Sequence, residues 1–474
     1  MLLPCKHDAS AVDQVEPAID LLRHLDGQHP DVLKAHGLEP ADYHSKLVFR
    51  SAIESIRGTY IASSLTQRQG LVADVLETMK QNDLIEDSML ESKQLSLFEE
   101  SDHVELDARL WGGSFNAKES SLHQLAPYVG KLKSGMVRVL IDLYSRPGDV
   151  VFDPFCGSGV VPLECVLLGR HAIANDLSPY AYVITRGKLS APDSKHDALL
   201  EAEDVIREVE LRKSSIDPEI APDWVRRFFH PETFKEVRAA FQVLKERQNY
   251  FLMACLLGIL HHVRPGFLSY PASHLTPYLR PKMYPPEKFP HMYSYRDLKS
   301  RLLAKVERAY RRSMFTHLRD QPTWTVLQEN TMNLSIPSAS VNTVISSPPY
   351  FGALDYARDN RLRLWFLGVP DWKQLDRSLT ASDQVYVPQM TQCLKELDRV
   401  LRDGGYCVLV LGDVERNGSK KHTANIVCEL AREVSNGRMI TKFIYVDEIP
   451  DIRRSRRRTR TTKCEQILVM QKIE

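Results

Sequence analysis

The sequence has little that would bind a metal or cross a membrane. Its eight cysteines include no CxxC pair and no close His/Cys array, so we expect reduced thiols and no zinc site. The longest apolar run, Phe251 to Leu260, is half of the ~20 residues that a bilayer span needs. Lys6 and Asp8 leave no room for the apolar region of a signal peptide. These absences predict a cytoplasmic chain with no membrane partner.

An excess of positive or negative charge is also lacking. The chain has 62 Lys+Arg and 61 Asp+Glu, a formal net charge of +1, so net charge predicts no partner. No internal repeat is present, which excludes solenoids and propellers. The 43% hydrophobic content is ordinary for a globular protein. At ~150 residues per domain, the 474 residues suggest about three structural units.

Changes in apolar periodicity divide the chain into five segments. Residues 1–90 have helical spacing, and residues 91–108 form an acidic linker without periodicity. Helices and strands alternate over residues 109–194 and again over 318–474, while residues 195–317 read as a helical insertion. We therefore predict an α/β fold with a mostly parallel sheet, a C-terminal antiparallel hairpin, a helical N-terminal region and a helical insertion.

Individual elements can be predicted inside the two α/β segments. The expected helices are 136–144, 160–168 and 390–401, and the expected strands are 150–152, 171–175, 324–327, 343–345, 406–411, 442–446 and 466–471. The centre of the insertion, Pro265 to Pro290, has seven prolines in 26 residues. Such a segment excludes regular structure.

A glycine turn follows the first predicted strand. The run Asp153-Pro154-Phe155-Cys156-Gly157-Ser158-Gly159 leads into a helix from Val160. Glycine lets the backbone approach a ligand, and a helix N-terminus offers N–H groups to an anion. Asp176 ends the next strand, at a spacing that suits an acid binding both ribose hydroxyls. The pattern predicts a nucleoside cofactor; the alternative is a tight turn with Asp176 as a helix cap.

A second motif follows the strand at 343–345. In Ser346-Ser347-Pro348-Pro349-Tyr350, two prolines remove two N–H donors and leave carbonyl acceptors. Acceptors beside an aromatic face suit a planar base that carries an amino group. The alternative is an ordinary proline turn.

Together the two motifs resemble those of the S-adenosylmethionine-dependent amino-methyltransferases of DNA, over residues 109–190 and 320–474. The resemblance implies a Rossmann-like methyltransferase sheet, S-adenosylmethionine as cofactor and DNA as substrate. The methyl group would go to the exocyclic amine of a flipped base. Because Ser precedes Pro-Pro-Tyr, cytosine N4 is favoured. Adenine N6, an RNA amine, or a non-catalytic nucleic-acid-binding protein are the alternatives.

The resemblance also implies roles for individual residues. Ser347 Oγ and the Pro348 carbonyl would accept hydrogen bonds from the amine, and Pro349 and Tyr350 would form a wall for the flipped base. Asn330 stands where the family usually has an acid. His123, Tyr128 and Lys131 resemble the segment that closes over the cofactor. The expected cofactor-binding residues are Lys131, Asp153, Pro154, Phe155, Gly157, Ser158, Gly159, Asp176, Leu177 and Asn330.

Contacts to DNA are predicted from concentrated basic residues. The loop between the last two strands contains Arg453, Arg454, Arg456, Arg457, Arg458 and Arg460, which we interpret as phosphate-binding. The insertion is either a target-recognition unit or a structural cap. Tyr356, Arg358, Arg361 and Arg363 either contact phosphates around the flipped nucleotide or lie on a solvated helix face, with Leu362, Leu364 and Trp365 in the core.

A short sequence motif in the acidic linker indicates another partner. Gln94-Leu95-Ser96-Leu97-Phe98 resembles the pentapeptide by which bacterial replication proteins bind the sliding clamp. The alternative is packing onto this protein's own core. Further hypotheses are a cognate restriction nuclease and a nucleoid-associated location in a prokaryotic cytoplasm.

Overall fold

The chain divides into two units, Met1–Glu105 and Leu106–Glu474. The computed structural model describes parts of the second: residues 119–261, 267–273, 276–312, 322–349, 356–379, 383–412, 414–416, 419–421, 423–448 and 464–474. Four predicted features lie outside the described residues: the N-terminal helical region, the acidic linker with its Gln94–Phe98 motif, Tyr350, and the six arginines of 453–460.

A seven-stranded sheet forms the centre of the described fold. Its strand order is β3-β2-β1-β4-β5-β9-β8. The first five strands pair in parallel, whereas β9 pairs antiparallel with both β5 and β8. The strands are β1 Val150–Asp153, β2 His171–Asn175, β3 Trp324–Leu327, β4 Val341–Ser346, β5 Leu401–Gly412, β8 Met439–Glu448 and β9 Cys464–Lys472, with β6 Val414–Arg416 and β7 Ser419–Lys421 in a separate hairpin. The predicted Rossmann-like sheet with its antiparallel C-terminal hairpin is confirmed.

Helices cover the sheet and form the insertion. They are α1 Ser134–Tyr144, α2 Val160–Leu167, α3 Pro179–Leu189, α4 Lys195–Arg212, α5 Asp223–Arg226, α6 Pro231–Glu246, α7 Tyr250–Ile259, α8 Leu298–Ala309, α9 Tyr356–Asp359, α10 Arg361–Phe366, α11 Trp372–Leu379, α12 Asp383–Val400 and α13 Thr423–Val434. Short 3-10 helices span Ser121–Gln124, Lys213–Ser215, Pro218–Ile220 and Pro290–Met292. No helix among the described residues is long and apolar enough to cross a membrane.

The strand alternation distributes side chains to two helix layers. Val151 and Ile345 face the layer that contains α1 and α2. Their neighbours Phe152 and Val344 face the layer that contains α12 and α13. Because successive strand residues point to opposite faces, these apolar strands bury both faces, as a parallel sheet requires.

The helical insertion packs closely on α3. A Cβ at Gly187 would lie 2.5 Å from the Tyr250 carbonyl oxygen and 2.8 Å from the Ala254 Cβ, both on α7. A Cβ at Gly258, also on α7, would lie 2.0 Å from the Leu125 carbonyl oxygen. Helices of the insertion and α3 share one apolar cluster, so the insertion is continuous with the core of the described fold.

Most element boundaries differ from the sequence prediction by three residues or fewer, and two starts, those of β5 and α12, differ by five residues or more. Strand β5 begins at Leu401, because the register between Val341 and Thr343 shifts and a bulge accommodates Gly404 and Gly405. Gly405 approaches the Asn342 carbonyl, where a Cβ would lie 2.7 Å away. Helix α12 begins seven residues before Met390 and continues through Pro388.

Candidate functional site

A cavity of about 490 Å³ lies at the carboxyl ends of β1, β2 and β4. Strand order reverses between β1 and β4, and ligands of open α/β sheets bind at such a switch point. Its volume lies within the usual range for small-molecule sites. Predicted residues that line it are Lys131, Asp153, Phe155, Gly157, Ser158, Asp176, Leu177, Asn330, Ser347 and Pro349. Pro154, Gly159 and Pro348 lie within the same motifs but not on the cavity wall.

The turn after β1 needs glycine at two positions. Gly157 has φ +46° and Gly159 φ +69°, in the left-handed region that other residues rarely adopt. A Cβ at Gly159 would lie 2.6 Å from Thr185 Oγ1, and one at Gly157 would lie 3.0 Å from Tyr128 Cε1. Gly159 is the N-cap of α2. Conformation and close approach therefore both select glycine here.

Asp176 joins β2 to the glycine turn. Its Oδ2 accepts a hydrogen bond from the Gly157 N–H at 2.9 Å, and its Oδ1 accepts one from the Ser178 N–H at 2.9 Å. A carboxylate has about four acceptor positions, so two remain for hydroxyl donors in the cavity. Burial raises the pKa of Asp176 to about 6, against the opposing effect of the two N–H donors.

Asp153 connects the two motifs. Its Oδ1 accepts a hydrogen bond from Ser346 Oγ at 2.6 Å, and from the Phe155 N–H at 3.3 Å. Burial raises the pKa of Asp153 to about 7, although both hydrogen bonds oppose the shift. A ligand cation beside this carboxyl group would favour its ionised form.

The loop after β3 is fixed by Asn175. The Asn175 Nδ2 donates to the Glu329 carbonyl at 3.0 Å and to Thr331 Oγ1 at 3.2 Å, and its Oδ1 accepts from the Glu329 N–H at 2.9 Å. Asn330 lines the cavity beside this anchor, and its own Oδ1 accepts from the Met332 N–H at 3.1 Å. One of the two acceptor positions on that oxygen is therefore already used.

Ser347 reaches the cavity from the end of β4. Its hydroxyl donates to the Val410 carbonyl at 3.0 Å. Because this hydroxyl hydrogen is directed to Val410, a hydrogen bond between Ser347 Oγ and a ligand would be one that the oxygen accepts. Pro348 is buried behind it, and Pro349 lines the cavity.

The segment before α1 forms the opposite wall. Tyr128 and Lys131 line the cavity, and the Tyr128 ring stacks on Tyr180 with centroids 5.9 Å apart. His123 does not line it: His123 is buried, and its Nε2 contacts Glu164 Oε1 at 2.6 Å. Burial lowers the pKa of His123. Of these three residues, His123 anchors the segment, and the other two face the cavity.

Helix α12 supplies cavity residues that the sequence analysis missed. These are Tyr386, Gln389, Met390 and Cys393, and the loop after β3 adds Thr331 and Met332. Their spacing of three and four on α12 is that of one helix face. This spacing can be read from the sequence, but the helix predicted there begins only at Met390 and therefore lacks the first turns with Tyr386 and Gln389.

Two of the arginines after β4 contact the insertion, Arg363 as a buried and Arg361 as a half-buried side chain. Arg363 is 2% exposed, and its Nε donates to the Leu257 carbonyl at 3.1 Å. Arg361 donates to the Pro277 carbonyl at 3.0 Å and lies over the Tyr278 ring at 4.4 Å. Arg363 is therefore neither a phosphate contact nor part of a solvated helix face, the two interpretations of this run, because its side chain is buried against α7.

The residues that line the cavity fit the expected cofactor in their chemistry. A glycine turn leaves space for backbone approach, Asp176 offers acceptors for hydroxyls, and Asp153 can balance a cation. Among the described residues, no group of His, Cys, Asp and Glu could hold a metal ion, and the six cysteines whose side chains are described are free thiols.

Two family models match overlapping parts of the chain. Residues 60–186 match a model described as DNA methylase. Residues 128–250 match a model described as D12 class N6 adenine-specific DNA methyltransferase. These matches support a DNA amino-methyltransferase. Both include the glycine turn and Asp176, and neither reaches Ser347.

Single relatives match over short or divergent stretches. The Type II methyltransferase M.MjaII of Methanocaldococcus jannaschii is 33% identical over 72 residues, which are 15% of this chain and 14% of that protein. A SAM-dependent methyltransferase from Methanosarcina mazei has 13% identity and a TM-score of 0.28, over 70% of this chain and 97% of the other. A putative DNA modification methylase from Thermus thermophilus, complexed with S-adenosyl-L-methionine, has 20% identity and a TM-score of 0.19, over 30% and 49%.

Proposed function

We propose that this protein transfers a methyl group from S-adenosylmethionine to the exocyclic amine of a base in DNA. One observation carries the proposal: the glycine turn, Asp176, Ser347 and Pro349 meet at one cavity. The two family matches support the same reaction class. Asp153, Gly157 and Ser158 would hold the methionine part of the cofactor, Asp176 its ribose, and Asn330 its adenine. Lys131 would close the cavity from the opposite wall.

Ser347 would act on the amine. The lone pair of a nucleobase amine is conjugated with the ring, so hydrogen bonds accepted from its N–H groups favour a more nucleophilic, tetrahedral nitrogen. The Ser347 hydroxyl donates to the Val410 carbonyl, so its oxygen would accept from the amine, and the Pro348 carbonyl would be a second acceptor. The cofactor supplies a methyl group on a sulfonium. The nitrogen–carbon bond would form as the carbon–sulfur bond breaks, and the excess proton would pass to solvent afterwards, so residues that position the two reactants would supply much of the catalysis.

Cytosine N4 is the target that we favour, because Ser347 rather than an acid precedes Pro348. Adenine N6 is the second candidate, since the model matched by residues 128–250 is described as N6 adenine-specific. Either base is inaccessible inside a duplex, so we propose base flipping, with Pro349 and Tyr350 as the wall against which the base stacks.

Product analysis tests the reaction. Purified protein is incubated with labelled cofactor and, in separate reactions, with DNA or with RNA, and the nucleic acid is digested to nucleosides. We expect N4-methylcytosine. N6-methyladenine selects the second candidate. Label in RNA alone, or in neither nucleic acid, contradicts the proposal; the first outcome selects an RNA methyltransferase and the second a non-catalytic binding protein.

Substitution of Ser347 tests the site. Ser347→Ala should lower kcat at least about tenfold, because the amine loses an acceptor in the transition state, while cofactor affinity changes little. Ser435→Ala is the control: it likewise removes a hydroxyl that donates to a carbonyl, but this buried residue directly follows α13, far from β4 in the chain. Undiminished transfer by Ser347→Ala would exclude the assigned role.

Target recognition is assigned to the insertion. Its segment 276–296 exposes Lys282, Met283 and Lys288. Arg361, the first residue of α10 and fourteen residues after Ser347, donates a hydrogen bond to the Pro277 carbonyl of this segment. Basic and apolar groups together suit a DNA surface. Lys282→Ala with Lys288→Ala should weaken DNA binding, whereas Lys235→Ala, an ion-paired lysine on α6, should not. Equal affinities would favour the structural-cap interpretation.

The Gln94–Phe98 motif supports a second partner, the bacterial sliding clamp. We expect Leu97→Ala with Phe98→Ala to abolish clamp capture by the full chain, and Ser96→Ala to retain it, because the apolar pair fills the pocket. Capture at the parental level by the double variant removes the hypothesis. A cognate nuclease would be tested by co-purification with the full chain from its own cells.

A further inference from the structure

Lys188 lies directly beneath the glycine turn. This residue of α3 is 1% exposed, and its Nζ donates to the carbonyl oxygen of Ser158. Thr185, one turn earlier on α3, donates to the Gly157 carbonyl at 3.4 Å. The two side chains hold the turn from the side away from the solvent, and Ser158 lines the cavity.

The charge of Lys188 has no ion-pair partner among the described residues. Glu164 contacts His123 and Arg138, each at 2.6 Å. Glu119 lies 3.9 Å from Lys131. Burying an ammonium group without a carboxylate is costly, and a neutral side chain could fill the same space. A positive charge kept there is explained if a ligand brings the negative one.

We propose that Lys188 is a positioning residue that fixes the Ser158 carbonyl and supplies the positive charge that selects a carboxylate on the cofactor. The inference rests on the proposed function, in which the cofactor's amino-acid part lies against the turn. Lys188 acts from below the backbone, without lining the cavity. In a poorly solvated site, its field on a carboxylate beyond Ser158 is screened far less than in water.

The protonation of Lys188 gives this role a pH signature. Burial lowers the pKa of Lys188 to about 7; Lys131 lowers it further, while Glu119, Cys156 and Glu164 oppose the shift. His123, whose pKa is also lowered, faces it from the preceding segment. A bound carboxylate raises the pKa of Lys188, so binding takes up a proton. The contribution to affinity is present below pH 7 and declines as the pH rises.

Two ligands separate charge selection from a purely structural role. S-adenosylmethionine carries the carboxylate, and decarboxylated S-adenosylmethionine lacks it. At pH 6.5, Lys188→Met should raise Kd for the first by about tenfold and for the second by less than about twofold. Lys188→Gln can still donate to Ser158 but has no charge, and it should show the same selective loss if Lys188→Met folds poorly.

The matched control is Lys305→Met. Lys305 is also buried and donates to a carbonyl, that of Gln124 at 2.8 Å, but it does not contact the turn. This variant should lose thermal stability without changing the ratio of the two Kd values. The affinity loss of Lys188→Met for S-adenosylmethionine should also shrink between pH 6.5 and 8.5, since the parent loses its charge over that range.

Equal losses for both ligands, or no loss for either, would overturn the inference. These outcomes are distinct from failure of the proposed function. In that case the parent protein binds neither ligand, or binds them and methylates no nucleic acid.

Discussion

Asp153 and Asp176 lie at the ends of neighbouring strands and face one cavity, yet burial raises both pKa values, to about 7 and about 6. Each carboxyl group is therefore partly protonated near neutral pH in the free protein. A cation beside Asp153, or hydroxyl donors at Asp176, would favour ionisation. Binding of the cofactor should thus release protons at these two groups.

Asp153→Asn gives a test of this coupling. The amide oxygen can still accept from Ser346, but it carries no charge. At pH 5.5 Asp153 is mostly protonated, so the Kd of the variant for S-adenosylmethionine should match the parent. At pH 8 the parent is ionised, and the variant should bind roughly tenfold more weakly. Isothermal titration at both pH values measures the ratio of the variant's Kd to the parent's Kd, in which the ligand's own titration cancels. A ratio that does not change with pH would contradict the pKa of Asp153.

The glycine turn permits a second test at single-residue scale. Gly159→Ala should cost about 2 kcal/mol or more of unfolding free energy, because the added Cβ meets Thr185 within 2.6 Å in a left-handed conformation. Gly148→Ala shares a positive φ of +86° but meets nothing within 4 Å. It should cost about 1 kcal/mol. Chemical denaturation compares the two, and equal losses would exclude the contact with Thr185.

Among the elements, α3 connects the site to the insertion. One part of α3 holds the glycine turn through Thr185 and Lys188, and Gly187 lets α7 approach. Lys305 of α8 reaches Gln124, in the segment that continues to the cavity wall. The insertion helices thereby help to place both sides of the cavity.

Gly187→Ala tests this packing through the sign of its effect. In an unobstructed helix, Ala instead of Gly stabilises by about 0.5–1 kcal/mol. Here the Cβ would lie 2.5 Å from the Tyr250 carbonyl, so we expect destabilisation of about 1–3 kcal/mol and weaker cofactor binding. Urea unfolding and cofactor titration check this; a gain in stability would show that α3 and α7 are farther apart than the structure has them.

For the molecule as a whole, the net charge of +1 results from acidic residues and basic residues that are concentrated in different segments. Arginines gather at 453–460, between β8 and β9. Replacing Arg456, Arg457 and Arg458 by Ala should reduce the slope of log Kd for DNA against log salt by roughly two to three. Arg207→Ala, an exposed ion-paired residue on α4, should leave the slope unchanged. A triple variant with the parental slope would remove this loop from the DNA contact.

Local patterns were enough for most of the sheet. Strands β2 and β3 have the bounds expected from their apolar runs, and β1 and α2 end within one residue of prediction. The errors were tertiary in origin. Gly404 and Gly405 indicate a turn locally, but pairing with β4 makes them a bulge inside β5. Pro388 indicates a helix boundary, but α12 continues through it and buries Tyr386 and Met390.

The sequence by itself determined the sheet class, the glycine turn and the Ser-Pro-Pro run, because conformational limits of glycine and proline and the two-residue alternation of strands act locally. Only the tertiary structure decided that the two motifs, almost two hundred residues apart, share one cavity. It also brought α12 to the wall and buried Lys188 beneath the turn. Those arrangements depend on strand order and helix packing, which join residues that no local pattern relates.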